Sequence, residues 1–137
     1  MKMKDCIFCN IANGKIPSKK VYEDKDSFAF LDIDPITIGH TILVPKKHFK
    51  TIADMSPDEL CKIAPAIEKI SKAIMKLADG MNIGQNNNKV AGQVVDHVHF
   101  HLIPRYKNDK SGFFWKHTTR IDEKHSDEFL KKIKGLL

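Results

Sequence analysis

Residues 97 to 102 read His-Val-His-Phe-His-Leu, and no other stretch restricts the fold as tightly. On an extended chain, side chains two apart share a face. His97, His99 and His101 therefore point one way, while Val98, Phe100 and Leu102 point the other. A helix would scatter these six residues around its circumference, so the alternation predicts a strand with one apolar face. We expect it over residues 94–103, ended by Pro104-Arg105. Three imidazoles on one strand face point to metal binding, to chemistry, or to both. The plain alternative is three solvated histidines on an ordinary strand.

The rest of the chain supplies partners for that strand. Val21–Asp24 and Ser27–Asp32 read as two strands about a turn at Lys25-Asp26, and His40–Pro45 reads as a third, rich in branched apolar residues. Met81–Gln85 gives a fourth. Between them, Ser56-Pro57-Asp58-Glu59 predicts a helix start, with a capping serine, a proline at the first helical position and a glutamate to complete a capping box. Leu60, Ile63, Ile67, Ile70, Ile74 and Leu77 follow at three- and four-residue steps, and Gly80 is the expected stop. Pro65 lies inside that pattern and predicts a kink near Cys61, itself expected to be a buried, inert thiol. A short helix over 6–13, capped by Asp5, and a last helix capped by Ser126 with Phe129, Leu130 and Ile133 inward, complete the set. The order predicts an α+β fold: a mostly antiparallel five-stranded sheet, one long helix packed on it, and short N- and C-terminal helices.

At 137 residues the chain is expected to form one domain, residues 1–137. It is 42% hydrophobic and 29% charged, as soluble globular chains are, and no apolar run approaches a membrane span. The N-terminal Met1–Cys6 lacks the apolar stretch of a signal peptide, so a cytoplasmic location is expected. The net charge of +6 suits anionic substrates, but the lysines are spread along the chain, and direct nucleic-acid binding is not expected. Three cysteines in such a chain argue against a disulfide framework. Cys6 and Cys9 form a Cys-x-x-Cys, a spacing that alone is compatible with redox chemistry, metal binding or neither. Asn108–Gly112 is loop by composition, and His117 and His125 are expected to be solvated.

Several blocks beyond the triple histidine recur in a known order. Phe30-Leu31-Asp32-Ile33, Gly39-His40-Thr41-Ile42-Leu43-Val44-Pro45-Lys46-Lys47-His48, Ala91-Gly92-Gln93, the His97–Leu102 pattern and Ile103-Pro104-Arg105 resemble the histidine triad family of nucleotide hydrolases and transferases. The likeness runs from Cys6 to Arg105, and is greatest to the branch of bacterial triad proteins and purine-nucleoside phosphoramidases. The resemblance implies that His99 is a nucleophile carrying a covalent nucleotidyl intermediate. It implies that His101 and His40 support it and that Gln93 assists at the phosphate or leaving group. Asp32 would accept from the ribose hydroxyls, Ile33 and Phe30 would line the base pocket, and Asn86, Gly92, Gln93 and His101 would meet the phosphate. The expected substrates are purine nucleotides such as AMP conjugates: phosphoramidates, adenylylated amines or dinucleoside polyphosphates, cleaved at the α-phosphate. The rival is a zinc-stabilised nucleotide-binding or scaffold protein with negligible catalysis.

Two further expectations come with the family. Cys6, Cys9, His48 and His97 match its zinc set; four protein ligands make a closed, structural site. Homodimerisation is the second, through the long helix and a sheet edge. Trp115 belongs to a region that relatives use near the active site, with core packing as the alternative. One departure stands out: many relatives have Ser or Thr where this chain has Val94, so a hydroxyl donor toward the leaving group is missing.

Overall fold

The computed structural model describes residues 5–109 and 122–137; Trp115, His117 and the Lys110–Gly112 part of the expected loop lie outside them. Five strands form one antiparallel sheet in the order β1-β2-β3-β5-β4. They are β1 (Lys20–Glu23), β2 (Ser27–Leu31), β3 (Thr41–Pro45), β4 (Gly80–Gln85) and β5 (Phe100–Arg105). Helix α1 (Ile7–Ala12) lies on one side, and α2 (Pro57–Leu77) and α3 (Glu123–Leu136) on the other.

The two-residue period of the strands sorts the core into two clusters. Ala29 and Leu31 of β2, Leu43 of β3, and Phe100 and Leu102 of β5 pack with Ile63, Ala66, Ile70 and Ile74 of α2 and with Phe129 and Ile133 of α3. Phe28 and Phe30 of β2, with Ile42 and Val44 of β3, pack with Phe8 and Ile11 of α1 and the buried Cys6. All of β2 and β3 is buried, because both faces are covered. The α+β architecture is therefore the expected one.

The boundaries depart from expectation in instructive ways. The histidine strand begins only at Phe100. Continuing the β3–β5 register past Leu43↔Phe100 would set Val98 opposite Pro45, which has no N–H to give. Val98 N–H instead donates to the Phe49 carbonyl at 2.8 Å, so His97 and His99 precede the ladder. At the other end Pro104 lies within β5, opposite Met81, and does not stop it.

Helix α2 starts at the expected Ser56-Pro57, with Ser56 Oγ accepting from Glu59 N–H at 3.1 Å, and runs through Pro65; the Glu59 carboxylate turns to Lys47 and Lys62 instead of completing the expected capping box. It ends at Leu77, before Gly80, because Asp79 N–H already pairs with the Arg105 carbonyl and Gly80 opens β4. Cys61 is exposed, contrary to expectation. It sits two positions before Ile63, about 200° around the helix from that buried residue. Helix α1 is capped by Cys6, whose Sγ accepts from Cys9 N–H at 3.5 Å, and not by Asp5. Helix α3 starts one turn early: Asp122 caps it, accepting from His125 N–H at 2.9 Å, and Ser126 is inside. At 14 residues it is not short.

Gly39 shows how closely α3 is seated. Its φ of +90° suits glycine alone, and a Cβ there would run into the Phe129 ring. Gly39→Ala combines a left-handed penalty with overpacking, and should lower unfolding stability by about 2–4 kcal/mol in urea titration.

Candidate functional site

Seven histidine, cysteine and aspartate side chains gather into two adjoining groups on the α1 side of the sheet. Cys6, Cys9, His48 and His97 bring one ligand atom each to within 4.8 Å of one another. Asp32, His40 and His101 form the second group. His99 lies between them in sequence; its ring centroid is 4.9 Å from that of His101 and 5.0 Å from the Phe8 ring.

Backbone partners determine the tautomer of each ring. A neutral imidazole has one N–H and one lone pair, so whatever binds one nitrogen defines the other. His97 Nε2–H donates to the Pro45 carbonyl at 2.8 Å, which leaves Nδ1 a lone pair aimed at the cysteines. His99 Nδ1–H donates to the His97 carbonyl at 2.7 Å, which leaves the lone pair on Nε2. Ile36 N–H donates to His40 Nδ1 at 3.0 Å, so His40 carries its proton on Nε2 and gives it to His101 Nδ1 at 2.9 Å. His101 in turn has its N–H on Nε2. His97 and His101 thus share one tautomer, with the proton on Nε2, and His99 between them holds the other, with its lone pair on Nε2.

Burial keeps these rings neutral. It pushes His97 down to about 4 and His101 down to about 3, and lowers His99 as well. Burial is also the main cause that raises the Cys9 thiol to about 11, followed by its hydrogen bond to Cys6.

The first group fits a tetrahedral cation. Nδ1 of His97 lies 3.2 Å from Nδ1 of His48, 3.3 Å from Cys6 Sγ and 3.4 Å from Cys9 Sγ, and Cys9 Sγ lies 3.4 Å from His48 Nδ1. Zinc at tetrahedral angles would place nitrogen pairs about 3.4 Å apart and nitrogen–sulfur pairs about 3.6 Å apart. The Pro45 carbonyl supplies the outer contact that fixes a ligating histidine. The second group does not fit. The nitrogen of His40 that faces His101 and, at 3.5 Å, Asp32 carries a proton, and a protonated nitrogen cannot ligate.

The remaining expected residues fall in two places. Asp32 follows β2, with its N–H on the His40 carbonyl and its Oδ1 accepting from Asp34 N–H. Next to it Ile33 is 98% exposed, an apolar side chain with no cover. Phe30 is buried against Phe8. Asn86, Gly92 and Gln93 share one loop: Asn86 Nδ2 donates to the Gly92 carbonyl at 3.4 Å, and Gly92 has a φ of +92°. Gln93 is 1% exposed and its amide is occupied: Oε1 accepts from Asn88 N–H and Nε2 donates to the Lys50 carbonyl, both at 2.6 Å. Val94 is exposed beside it. His125 is exposed, on the outer α3.

Sequence reasoning did not single out Phe8, which shields His99, nor the carbonyls of Pro45, Phe49 and Lys50. An aromatic residue between the two cysteines was the only written signal.

Residues 13–108 match the HIT domain family, and the chain belongs to that family. It is 50% identical over 131 residues to an uncharacterized HIT-like protein of Methanocaldococcus jannaschii, covering 95% of this chain and 99% of that one. It is 44% identical over 135 residues to an adenosine 5′-monophosphoramidase of Saccharomyces cerevisiae, covering 95% and 84%. Among solved structures, a Zn-bound histidine triad family protein of Mycobacterium smegmatis superposes with a TM-score of 0.84 at 33% identity, covering 98% and 94%.

The depressed histidines make stability depend on pH. In the unfolded chain they bind protons near about 6.5. In the folded, metal-free protein His97 and His101 do so only near about 4 and about 3. Between those values the unfolded state binds more protons, so stability falls as pH falls. Urea midpoints of the metal-stripped protein should drop steadily from pH 7 to pH 4.5; a rise over that window would contradict neutral, buried rings.

Proposed function

We propose that this protein is a nucleotidyl hydrolase or transferase that cleaves nucleoside monophosphate conjugates at the α-phosphate, with phosphoramidates and adenylylated amines as substrates. The observation that carries the reading is the 2.7 Å bond from His99 Nδ1–H to the His97 carbonyl, which leaves His99 Nε2 as the one imidazole lone pair of the triad spent on neither a metal set nor a hydrogen bond. A neutral ring with its far nitrogen donating is the form that attacks phosphorus.

In the proposed reaction His99 Nε2 forms a bond to the α-phosphorus, and the leaving group departs with the electron pair of the broken bond and takes up a proton. Water then attacks the nucleotidyl-His99 intermediate, AMP leaves, and the lone pair returns to Nε2. His101 Nε2–H donates to a phosphoryl oxygen, and His40 holds His101 in the tautomer that can do so. Asp32 accepts from the ribose hydroxyls, the exposed Ile33 gains cover from the base, and Asn86 and Gly92 border the phosphate. The monophosphoramidase activity named for the yeast relative supports this substrate class.

The cation site is read as zinc held by Cys6, Cys9, His48 and His97, in a structural role. With four protein ligands no position is left for a water, so the metal supports the fold and takes no part in bond making. Homodimerisation belongs to the same reading: β4 is an edge strand and exposes Ile83, and α2 exposes Met75. Among the described residues no helix is long and apolar enough to cross a membrane.

Incubation with adenosine 5′-phosphoramidate should release AMP. His99→Ala should slow release on the order of 10⁴-fold or more while leaving the thermal transition in place. A variant that keeps turnover would remove His99 from the role of nucleophile. Metal analysis should find one zinc per chain. Chelation should lower the melting temperature by several degrees, since binding energy at such a site is folding energy; an unchanged transition would speak against a structural metal.

A further inference from the structure

Four consecutive contacts grip the segment from His48 to Ile52. His48 Nδ1 belongs to the cation set. The Phe49 carbonyl accepts from Val98 N–H at 2.8 Å, between His97 and His99. The Lys50 carbonyl accepts from Gln93 Nε2 at 2.6 Å. Ile52 N–H donates to Asn87 Oδ1 at 2.8 Å. One short segment thus touches the cation site, the reactive strand and the loop over residues 86–93.

The grip on the loop is over-determined. Gln93 Oε1 accepts from Asn88 N–H at 2.6 Å, and Gln93 N–H returns a bond to the Asn88 carbonyl at 3.1 Å. Asn88 sits at φ 68°, ψ 158°, a conformation that costs a residue with a side chain on the order of 1–3 kcal/mol and persists only where its surroundings impose it. Asn87 is held by a reciprocal amide pair with Gln85, at 2.6 and 3.1 Å. Gln93 is 1% exposed, with both ends of its amide engaged.

We infer that Gln93 is a positioning residue that joins the His48–Ile52 segment to the Asn86–Gly92 loop, so that cation binding and nucleotide binding strengthen each other through it. The inference rests on the proposed zinc and nucleotide sites, and assigns the link between them. The mechanism is geometric. A cation draws His48 and His97 to one point and so fixes the main chain two residues on, at Lys50. Gln93 carries that position to Asn88 and the Gly92 turn. Without the cation the segment has one fewer anchor, and the loop is less ordered when AMP arrives. Because coupling is reciprocal in free energy, AMP must tighten zinc by the factor by which zinc tightens AMP.

The test is a pair of titrations on the full chain. AMP affinity is measured by calorimetry on zinc-loaded and metal-stripped protein, and zinc affinity by chelator competition with and without saturating AMP. In the native protein both factors should agree and be about fivefold or more. In Gln93→Ala both should fall toward one, while zinc affinity without AMP stays within about twofold of native. Asn87→Ala, which removes the bond to Ile52 and the amide pair with Gln85 but leaves Gln93 in place, should lower the factor partway, and it carries the test if Gln93→Ala does not fold. Equal AMP affinity in loaded and stripped native protein would overturn the link while leaving the nucleotide site intact, as would full coupling in either variant. No AMP binding to loaded native protein would overturn the nucleotide reading and the link with it.

Discussion

A neutral imidazole offers one donor and one acceptor, and the main chain decides here which nitrogen is which. The Pro45 carbonyl, the His97 carbonyl and the Ile36 amide settle three rings directly, and the His40–His101 bond passes the choice to a fourth. Burial then removes the charged form as a competitor. Ligand, lone pair and donor follow one another along five residues. The sheet matters to the chemistry because it holds these carbonyls and amides still.

His97 stands at the junction. Its ring faces the cysteines, and its own carbonyl holds the neighbouring reactive ring. A change that rotates its peptide therefore acts on both groups. Phe8, between the two cysteines in sequence, lies edge-on to His97 and His99 alike. The α1 side of the sheet is thus both a small core and the wall of the site, so packing and reactivity share residues there.

Much of this was legible in the sequence because its signals are periodic. The alternation at residues 97–102 predicts which side chains bury against α2, and Val98, Phe100 and Leu102 do. The stripe from Ile63 to Ile74 places α2, and Ser56-Pro57 places its start. What was not legible runs through the main chain. No letter marks the carbonyls of Pro45, Phe49 or Lys50 as partners, and without them β5 looks longer than it is and the tie from Gln93 to Lys50 stays hidden. Two capping candidates one turn apart, Asp122 and Ser126, look alike on paper, and the earlier one gains a full turn of hydrogen bonds. Cys61 misleads because adjacency to Leu60 says little about orientation on a helix.

The alternation around His99 has a consequence for how such a segment can change over time. Each position tolerates or rejects substitution on its own terms, since the two faces are separate environments. Loss or gain of one residue between Val95 and His99 is another matter. It would put His97 one step out of phase with the laddered residues from Phe100 on, so that the two halves of the alternation no longer shared their faces. The stretch is therefore a reading frame of period two, open to single letters and closed to indels.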